Sequence, residues 1–211
     1  MLNIGVMVSG GGTNLQAVLD AIAQGRLPGC RVVTVLSSRQ DAGAIARAES
    51  AGIPHGVLSR KAFADPADYD EAVLAHMQAH DVQLVVLAGF LSMIGAPLLA
   101  AYPGAILNVH PSLIPAFCGK GYYGLIPHVR ALEYGVKVTG ATVHFVEAEY
   151  DSGPIVLQKA VDVLPGDTPE ALQQRVMVQA EWVLLPQAIR LFSEGRLQIA
   201  GRKVVIHQDG V

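Results

Sequence analysis

Leu2-Asn3-Ile4-Gly5-Val6-Met7-Val8 runs directly into Ser9-Gly10-Gly11-Gly12-Thr13-Asn14, after which Leu15, Val18, Leu19 and Ile22 recur at helical spacing. An apolar run, a glycine turn and an amphipathic stripe, in that order, read as the opening of a βα unit. Glycines let a backbone approach a ligand closely, and a helix N-terminus presents free N–H groups and a positive dipole end. An anion suits such a turn, above all a phosphate. It is not a P-loop, because no Lys-Ser or Lys-Thr stands at the required offset. It is also a poor dinucleotide fingerprint, since Leu15 holds the place of the third glycine. The second strand ends in Ser37-Ser38-Arg39, where a ribose-binding acid is expected. A phosphate monoester fits better than a dinucleotide, with an unliganded βα turn as the plain alternative.

Outward from this unit the first half keeps alternating. Strands are expected over Val32–Leu36, Ile53–Leu58, Leu84–Ala88 and Ala105–Val109. Helices are expected over Asn14–Gln24, Ala42–Ala51, Tyr69–His80 and Pro97–Ala101. That alternation implies an α/β fold, with a mostly parallel twisted sheet and helices on both faces in a Rossmann-like N-terminal half. Later the pattern changes. A helix over Pro127–Tyr134 precedes two extended runs, Val138–Val146 and Pro154–Val163, placed to pair antiparallel across Glu147–Gly153. A long helix is expected over Thr168–Phe192, with Asp167 or Thr168 as N-cap and Pro169 at its first position. Gly195–Ile199 and Val204–His207 form a small ribbon. No repeat or linker interrupts the chain, so one domain is expected over 1–211, with a phosphate-binding half (1–110) and a half of loops, antiparallel strands and the long helix (111–211).

The 211 residues carry 15 Lys+Arg against 18 Asp+Glu, a net charge of −3, and only 16% are charged. A weakly acidic chain without a basic run lacks the footprint of a nucleic-acid-binding protein. Its 51% hydrophobic content excludes disorder. From Val82 to Gly119, 38 residues pass without an Asp, Glu, Lys or Arg. Within that gap Leu84–Tyr102 is long enough to cross a bilayer, but Gly89, Gly95 and Pro97 punctuate it. A buried strand, a turn and a short helix explain it better than a membrane span. Cys30 and Cys118 fit no CxxC spacing and point to a reducing compartment. Met1–Gly12 lacks the basic start of a signal peptide, so the cytoplasm is the expected setting.

Chemistry concentrates in Ile106-Leu107-Asn108-Val109-His110-Pro111-Ser112-Leu113-Ile114-Pro115, where a buried strand ends. Period-two geometry sends Asn108 and His110 to the same side, at the strand end where α/β sheets bind ligands. An imidazole there can exchange a proton near neutral pH, and a neighbouring carboxylate would raise its pKa. A merely hydrogen-bonded structural role is equally open for His110 alone. Asp151, in Glu149-Tyr150-Asp151-Ser152-Gly153-Pro154, reads first as turn chemistry and gains interest only if the fold brings it to His110. His76 and His80 have a spacing that can hold zinc, but no third ligand is apparent, so an exposed helical face is expected and no metal. His144 is expected in the core or lining the site.

Four segments together resemble the phosphoribosylglycinamide formyltransferases of the formyltransferase superfamily. They are Val8-Ser9-Gly10-Gly11-Gly12-Thr13-Asn14-Leu15-Gln16-Ala17, Leu87-Ala88-Gly89-Phe90, Asn108 through Pro115, and Gly140-Ala141-Thr142-Val143-His144-Phe145-Val146 through Asp151-Ser152-Gly153-Pro154-Ile155. The similarity runs from Asn3 to about Ile199. It implies formyl transfer from 10-formyltetrahydrofolate to the amine of glycinamide ribonucleotide, with no metal, in a monomer or homodimer. By this resemblance His110 is the general acid/base, Asp151 raises its pKa, and Asn108 binds the developing oxyanion. Gly12, Thr13 and Asn14 would hold the phosphate, and Glu181 the ribose or amine. The reduced folate would lie along Leu91, Ser92, Met93 and Ile94 and the loop of Glu147, Ala148, Glu149, Tyr150 and Asp151, with Asn108 between the ligands. The sequence departs from the family in three places, one of them the Gly/Tyr-rich loop Cys118-Gly119-Lys120-Gly121-Tyr122-Tyr123-Gly124. Pro66 stands where an arginine often reaches the phosphate, leaving Arg60 or Lys61 nearby. The spacing from Gly166-Asp167-Thr168 to Glu181 is one residue longer than the family pattern. Other formyltransferases fit less well: the tRNA enzymes normally carry an RNA-binding domain for which 211 residues leave no room. A non-catalytic phosphate-binding protein would leave Asn108, His110 and Asp151 unexplained together.

Overall fold

Leu2–Val8 forms the first strand, β1, and its last five residues are all buried. An apolar run with no polar alternation is what a parallel strand covered on both faces requires. The computed structural model describes Met1–Gln208, so the last three residues of the expected 1–211 domain lie outside the described residues. The chain divides into two compact units between Asn108 and Val109, two residues before the expected division.

In the first unit β1 is followed by α1 (Thr13–Ala23), β2 (Cys30–Ser37), α2 (Gly43–Ser50), β3 (His55–Val57), α3 (Pro66–Ala79), β4 (Leu84–Leu87), α4 (Ala96–Ala101) and β5 (Ile106–His110), whose last two residues belong to the second unit. The strands are parallel in the order β3-β2-β1-β4-β5. The chain therefore builds outward in one direction from β1 to β3, then in the other from β4 to β5. The reversal at β1 and β4 opens a crevice at their carboxyl ends, where sheets of this kind bind ligands. The charge gap resolves into β4, α4 and β5, and no helix among the described residues is long and apolar enough to cross a membrane.

Two expectations change here. The helix expected from Tyr69 starts at Pro66, because Asp65 caps it by accepting the Ala67 N–H at 2.8 Å and Pro66 takes the first turn. The apolar stripe begins only at Tyr69, which is why periodicity placed the start late. His76 and His80 do not occupy an exposed face. Both are half-buried, with His76 Nε2 2.8 Å from Thr34 Oγ1 and His80 Nδ1 2.8 Å from the His76 carbonyl.

The second unit holds α5 (Ile126–Tyr134), β6 (Val138–Phe145), β7 (Ile155–Asp162), α6 (Pro169–Val176), a π-helical turn (Met177–Glu181), α7 (Trp182–Ser193), β8 (Leu197–Ala200) and β9 (Lys203–Ile206). Strand order is β6-β7-β9-β8, antiparallel at β6/β7 and β8/β9 and parallel at β7/β9. The expected antiparallel pairing across residues 147–153 is present. Its register slips between Val143 and His144, which pair with Leu157 and Ile155. A bulge of this kind re-aims the side chain beside it, here His144.

The single long helix expected over Thr168–Phe192 is instead two α-helices joined by the π turn. Thr168 is its N-cap, accepting the Ala171 N–H at 3.2 Å, with Pro169 in the first turn. A π turn accommodates one residue more than an α turn. The turn keeps the buried Leu172 and Val176 of α6 in phase with Leu184, Leu185 and Ala188 of α7. Asp167 caps nothing at this helix. It holds Arg175 through two bonds of 2.6 Å, and that ion pair draws its carboxyl down to about 2.

Candidate active site

In the first unit, Ser9 closes β1 and ties three strand ends together. Its Oγ lies 2.6 Å from Ser38 Oγ and accepts the Leu91 N–H at 2.9 Å, while its own N–H donates to the Gly89 carbonyl at 3.1 Å. The turn that follows reaches α1 through Gly12, whose φ of 72° is left-handed and which offers no side-chain cap. No acidic residue occupies the first turn of α1. The helix thus presents an N-terminus suited to an external anion. A Cβ on Gly12 would lie 2.6 Å from that of Ala44, so glycine is required there by packing as well as by φ. Thr13 is half-buried and Asn14 buried beside it. Arg60 is already engaged: its guanidinium lies over the Tyr69 ring at 5.6 Å and 3.8 Å from Asp70 Oδ1. Farther along, Leu91 and Met93 are 47% and 44% exposed, with Ser92 and Ile94 half-buried. Large apolar side chains left in water form a surface that a flat apolar ligand could cover. Asn108, half-buried, sits on β5 in register with Leu87 of β4.

In the second unit His110 closes β5 and is only 4% exposed. Its Nε2 donates to the Phe117 carbonyl at 3.0 Å, and its Nδ1 lies 3.5 Å from Asp151 Oδ2. The other carboxylate oxygen, Oδ1, lies 3.6 Å from His144 Nε2. His144 Nδ1 in turn donates to the Phe145 carbonyl at 2.7 Å. Asp151 also accepts the Gly119 N–H at 2.7 Å. The β6/β7 connection delivers Asp151 with a φ of 52°, a left-handed conformation that aspartate tolerates better than most residues. Gly153 follows because a Cβ there would collide with the Phe145 carbonyl. The fold therefore brings Asp151 to His110. Glu147, Ala148, Glu149 and Tyr150 are exposed on the same connection, and Glu181 is buried in the π turn.

Electrostatics divide the pair. Burial pushes the His110 pKa below its ordinary value, and the Asp151 charge and Phe117 carbonyl oppose that shift without cancelling it. The imidazole is thus neutral at pH 7 and able to accept a proton. Burial also works against the Asp151 carboxylate, but His144, His110 and the Gly119 amide outweigh it and hold the carboxyl below its usual range. The carboxylate stays charged. Sequence reasoning missed three participants: His144 as a second partner of Asp151, and the Phe117 carbonyl and Gly119 amide, which bracket Cys118. Backbone groups carry no residue-type signal, whereas the alternation around His144 could have shown that it is held at a strand end.

His128 lies fully buried on α5 with no hydrogen-bond partner for either ring nitrogen among the described residues. Burial first, and the neighbouring His110 second, bring its pKa down to about 4. Its unfolded value is near 6.5, so the unfolded chain takes up a proton that the folded one refuses as pH falls. The stability carried by neutral His128 is present above about pH 6.5 and lost between there and about pH 4, about 3 kcal/mol in all. Urea unfolding at pH 7 and pH 4 should show His128→Leu losing less stability on acidification than the parent. Equal losses would show that His128 does not titrate this way.

Residues 2–189 match the family model described as formyl transferase. The chain is 40% identical over 199 residues to the phosphoribosylglycinamide formyltransferase of Haemophilus influenzae, covering 94% of this chain and 91% of that one. It is 38% identical over 198 residues to the Escherichia coli (strain K12) protein of the same name, covering 94% and 90%. Among solved structures, glycinamide ribonucleotide transformylase 1 from Symbiobacterium toebii superposes with a TM-score of 0.92 at 48% identity, covering 99% of this chain and 95% of that one. A polar strand end built on His110 and Asp151, a glycine turn at the sheet's switch point and a family match over most of the length agree: the chain belongs to the formyl transferase family.

Proposed function

We propose that the protein transfers the formyl group of 10-formyltetrahydrofolate to the glycine amine of 5'-phosphoribosylglycinamide, giving N-formylglycinamide ribonucleotide and tetrahydrofolate in purine biosynthesis. The observation that carries this reading is the buried His110 held against Asp151 at the end of β5. The amine nitrogen attacks the formyl carbon, and the carbonyl oxygen becomes an oxyanion in a tetrahedral intermediate. Asn108 donates its amide N–H to that oxygen. The neutral His110 takes the proton that the attacking amine must lose and returns one to N10 of the folate as the C–N10 bond breaks. Asp151 stabilises the imidazolium formed in between. In the structure Nε2 is held by the Phe117 carbonyl, so the 117–119 segment yields that nitrogen to the substrates during turnover.

Gly12, Thr13 and Asn14 bind the phosphate at the start of α1, and Glu181 binds the ribose or the amine. The folate lies on Leu91–Ile94 and on residues 147–151. Metal has no part in this scheme. The proposed setting is the cytoplasm, supported by two unpaired cysteines, Cys30 and Cys118.

Purified protein given both substrates should release tetrahydrofolate, and omission of the ribonucleotide should stop release. No turnover with the pair would overturn the assignment, and release without the amine would make the protein a hydrolase. The acid limb of the kcat/KM profile should lie below pH 6.5, where burial puts His110. Asp151→Asn removes the charge that lifts the His110 pKa, so the limb should move to still lower pH, with kcat down roughly tenfold to a hundredfold. An unmoved limb would show that Asp151 does not tune His110.

A further inference from the structure

Within the glycine turn, Gly10, Gly11 and Gly12 have no side chains to fix them, and three consecutive glycines can rotate their peptide planes at little cost. What holds it is α2. The Ala44 N–H donates to the Gly10 carbonyl at 3.1 Å. Arg47 Nε donates to the Gly11 carbonyl at 2.8 Å, and its Nη1 donates to Gln16 Oε1, on the first turn of α1, at 3.0 Å. A Cβ on Gly43 would meet the Gly11 Cα at 3.4 Å, and one on Gly12 would meet Arg47 Cδ at 3.2 Å, so the two segments are in close contact.

In a trans peptide plane the C=O and the following N–H point in opposite directions. Drawing the Gly10 and Gly11 carbonyls onto α2 therefore turns the Gly11 and Gly12 N–H groups away from α2. They join the N–H groups at the start of α1 in one anion-binding concavity. We propose that Arg47 is a positioning residue for the phosphate: it does not bind the anion itself but locks the Gly11–Gly12 peptide in the orientation that does. The inference rests on the phosphate reading of the turn given above. Arginine is required because its planar fork reaches two fixed acceptors at once, whereas a lysine ammonium would carry the charge without spanning both.

Arg47→Lys and Arg47→Met separate geometry from charge. Both variants should raise KM for the ribonucleotide about tenfold and weaken inhibition by inorganic phosphate in parallel. The folate KM and kcat should stay within about twofold, because only binding of the phosphate end is altered. An Arg47→Lys variant equal to the parent would reduce the role to charge and overturn the proposal. So would an unchanged ribonucleotide KM in Arg47→Met. A rise in both substrate KM values together with a fall in Tm would mark Arg47 as a general structural residue and also overturn it. Should the parent protein not turn over at all, the functional reading fails, and calorimetric titration of parent and variants with inorganic phosphate still tests the clamp. Equal phosphate affinities there would overturn it.

Discussion

Replacing His110 with alanine is expected to lower kcat for formyl transfer roughly 10²–10⁴-fold while leaving both KM values near those of the parent. The amine must lose a proton and the folate nitrogen must gain one, and on the proposed scheme His110 is the group that handles both. Among the described residues, neither of the other two histidines of this cluster is placed to substitute. His144 has Nδ1 committed to the Phe145 carbonyl and faces Asp151 with the other nitrogen. His128 has a pKa brought down to about 4, too weak a base for the task. The substitution also leaves Asp151 without one of its partners in a buried place, so some loss of stability accompanies it. That loss must be separated from the chemical effect. His110→Asn, which keeps a polar group near Phe117 and Asp151, should be as inactive as the alanine variant but closer to the parent in Tm. A kcat for either variant within tenfold of the parent would remove His110 from the chemistry.

Asn108→Ala is expected to cost about 10²–10³-fold in kcat, the range for losing one oxyanion donor. The effect should fall on kcat rather than KM, because the charge that Asn108 meets exists only as the tetrahedral intermediate forms. Asn108→Asp makes the sharper test. It is nearly isosteric, yet it replaces a donor with a negative charge facing a developing negative charge, so it should be at least as damaging as alanine. If Asn108→Asp retained activity while Asn108→Ala did not, the side chain would be filling space rather than donating to the oxyanion. Asn108→Ala should not move the acid limb of the pH profile far, since that limb belongs to His110. Asn108 thus separates from Asp151 by experiment: one acts on the height of the rate, the other on its pH dependence as well.

Much of this was legible beforehand, because local rules carried it. The strand at Leu2–Val8 followed from an unbroken apolar run, and the turn at Ser9–Asn14 from its glycines. The hairpin around residues 147–153 followed from alternation on both sides of a turn sequence. Where reading by pattern went astray, a second local signal competed with the first. The apolar stripe of α3 begins at Tyr69, but the capping pair Asp65-Pro66 starts the helix earlier. The apolar pattern of the long C-terminal helix runs on past Glu181, but a π turn over Met177–Glu181 divides it. His76 and His80 were read as an exposed pair because nothing nearby in sequence reveals Thr34 on β2.

The sequence by itself determined the α/β class, the glycine turn between the first strand and the first helix, and the polar pair Asn108 and His110 at the end of a buried strand. Each is a short-range property, set by side-chain periodicity and by the backbone freedom of a few residues. Only the tertiary structure decided that Asp151 reaches His110 while His144 holds its other oxygen, and that Arg47 grips the glycine turn from a neighbouring helix. Those meetings depend on the β6/β7 register, with its slip beside His144, and on the packing of α2 against the turn. Both are long-range choices, fixed when buried surfaces and backbone hydrogen bonds are satisfied together. The charge of Asp151 and the neutrality of His110 follow from the same cause, since a pKa is set by burial and by the groups brought near.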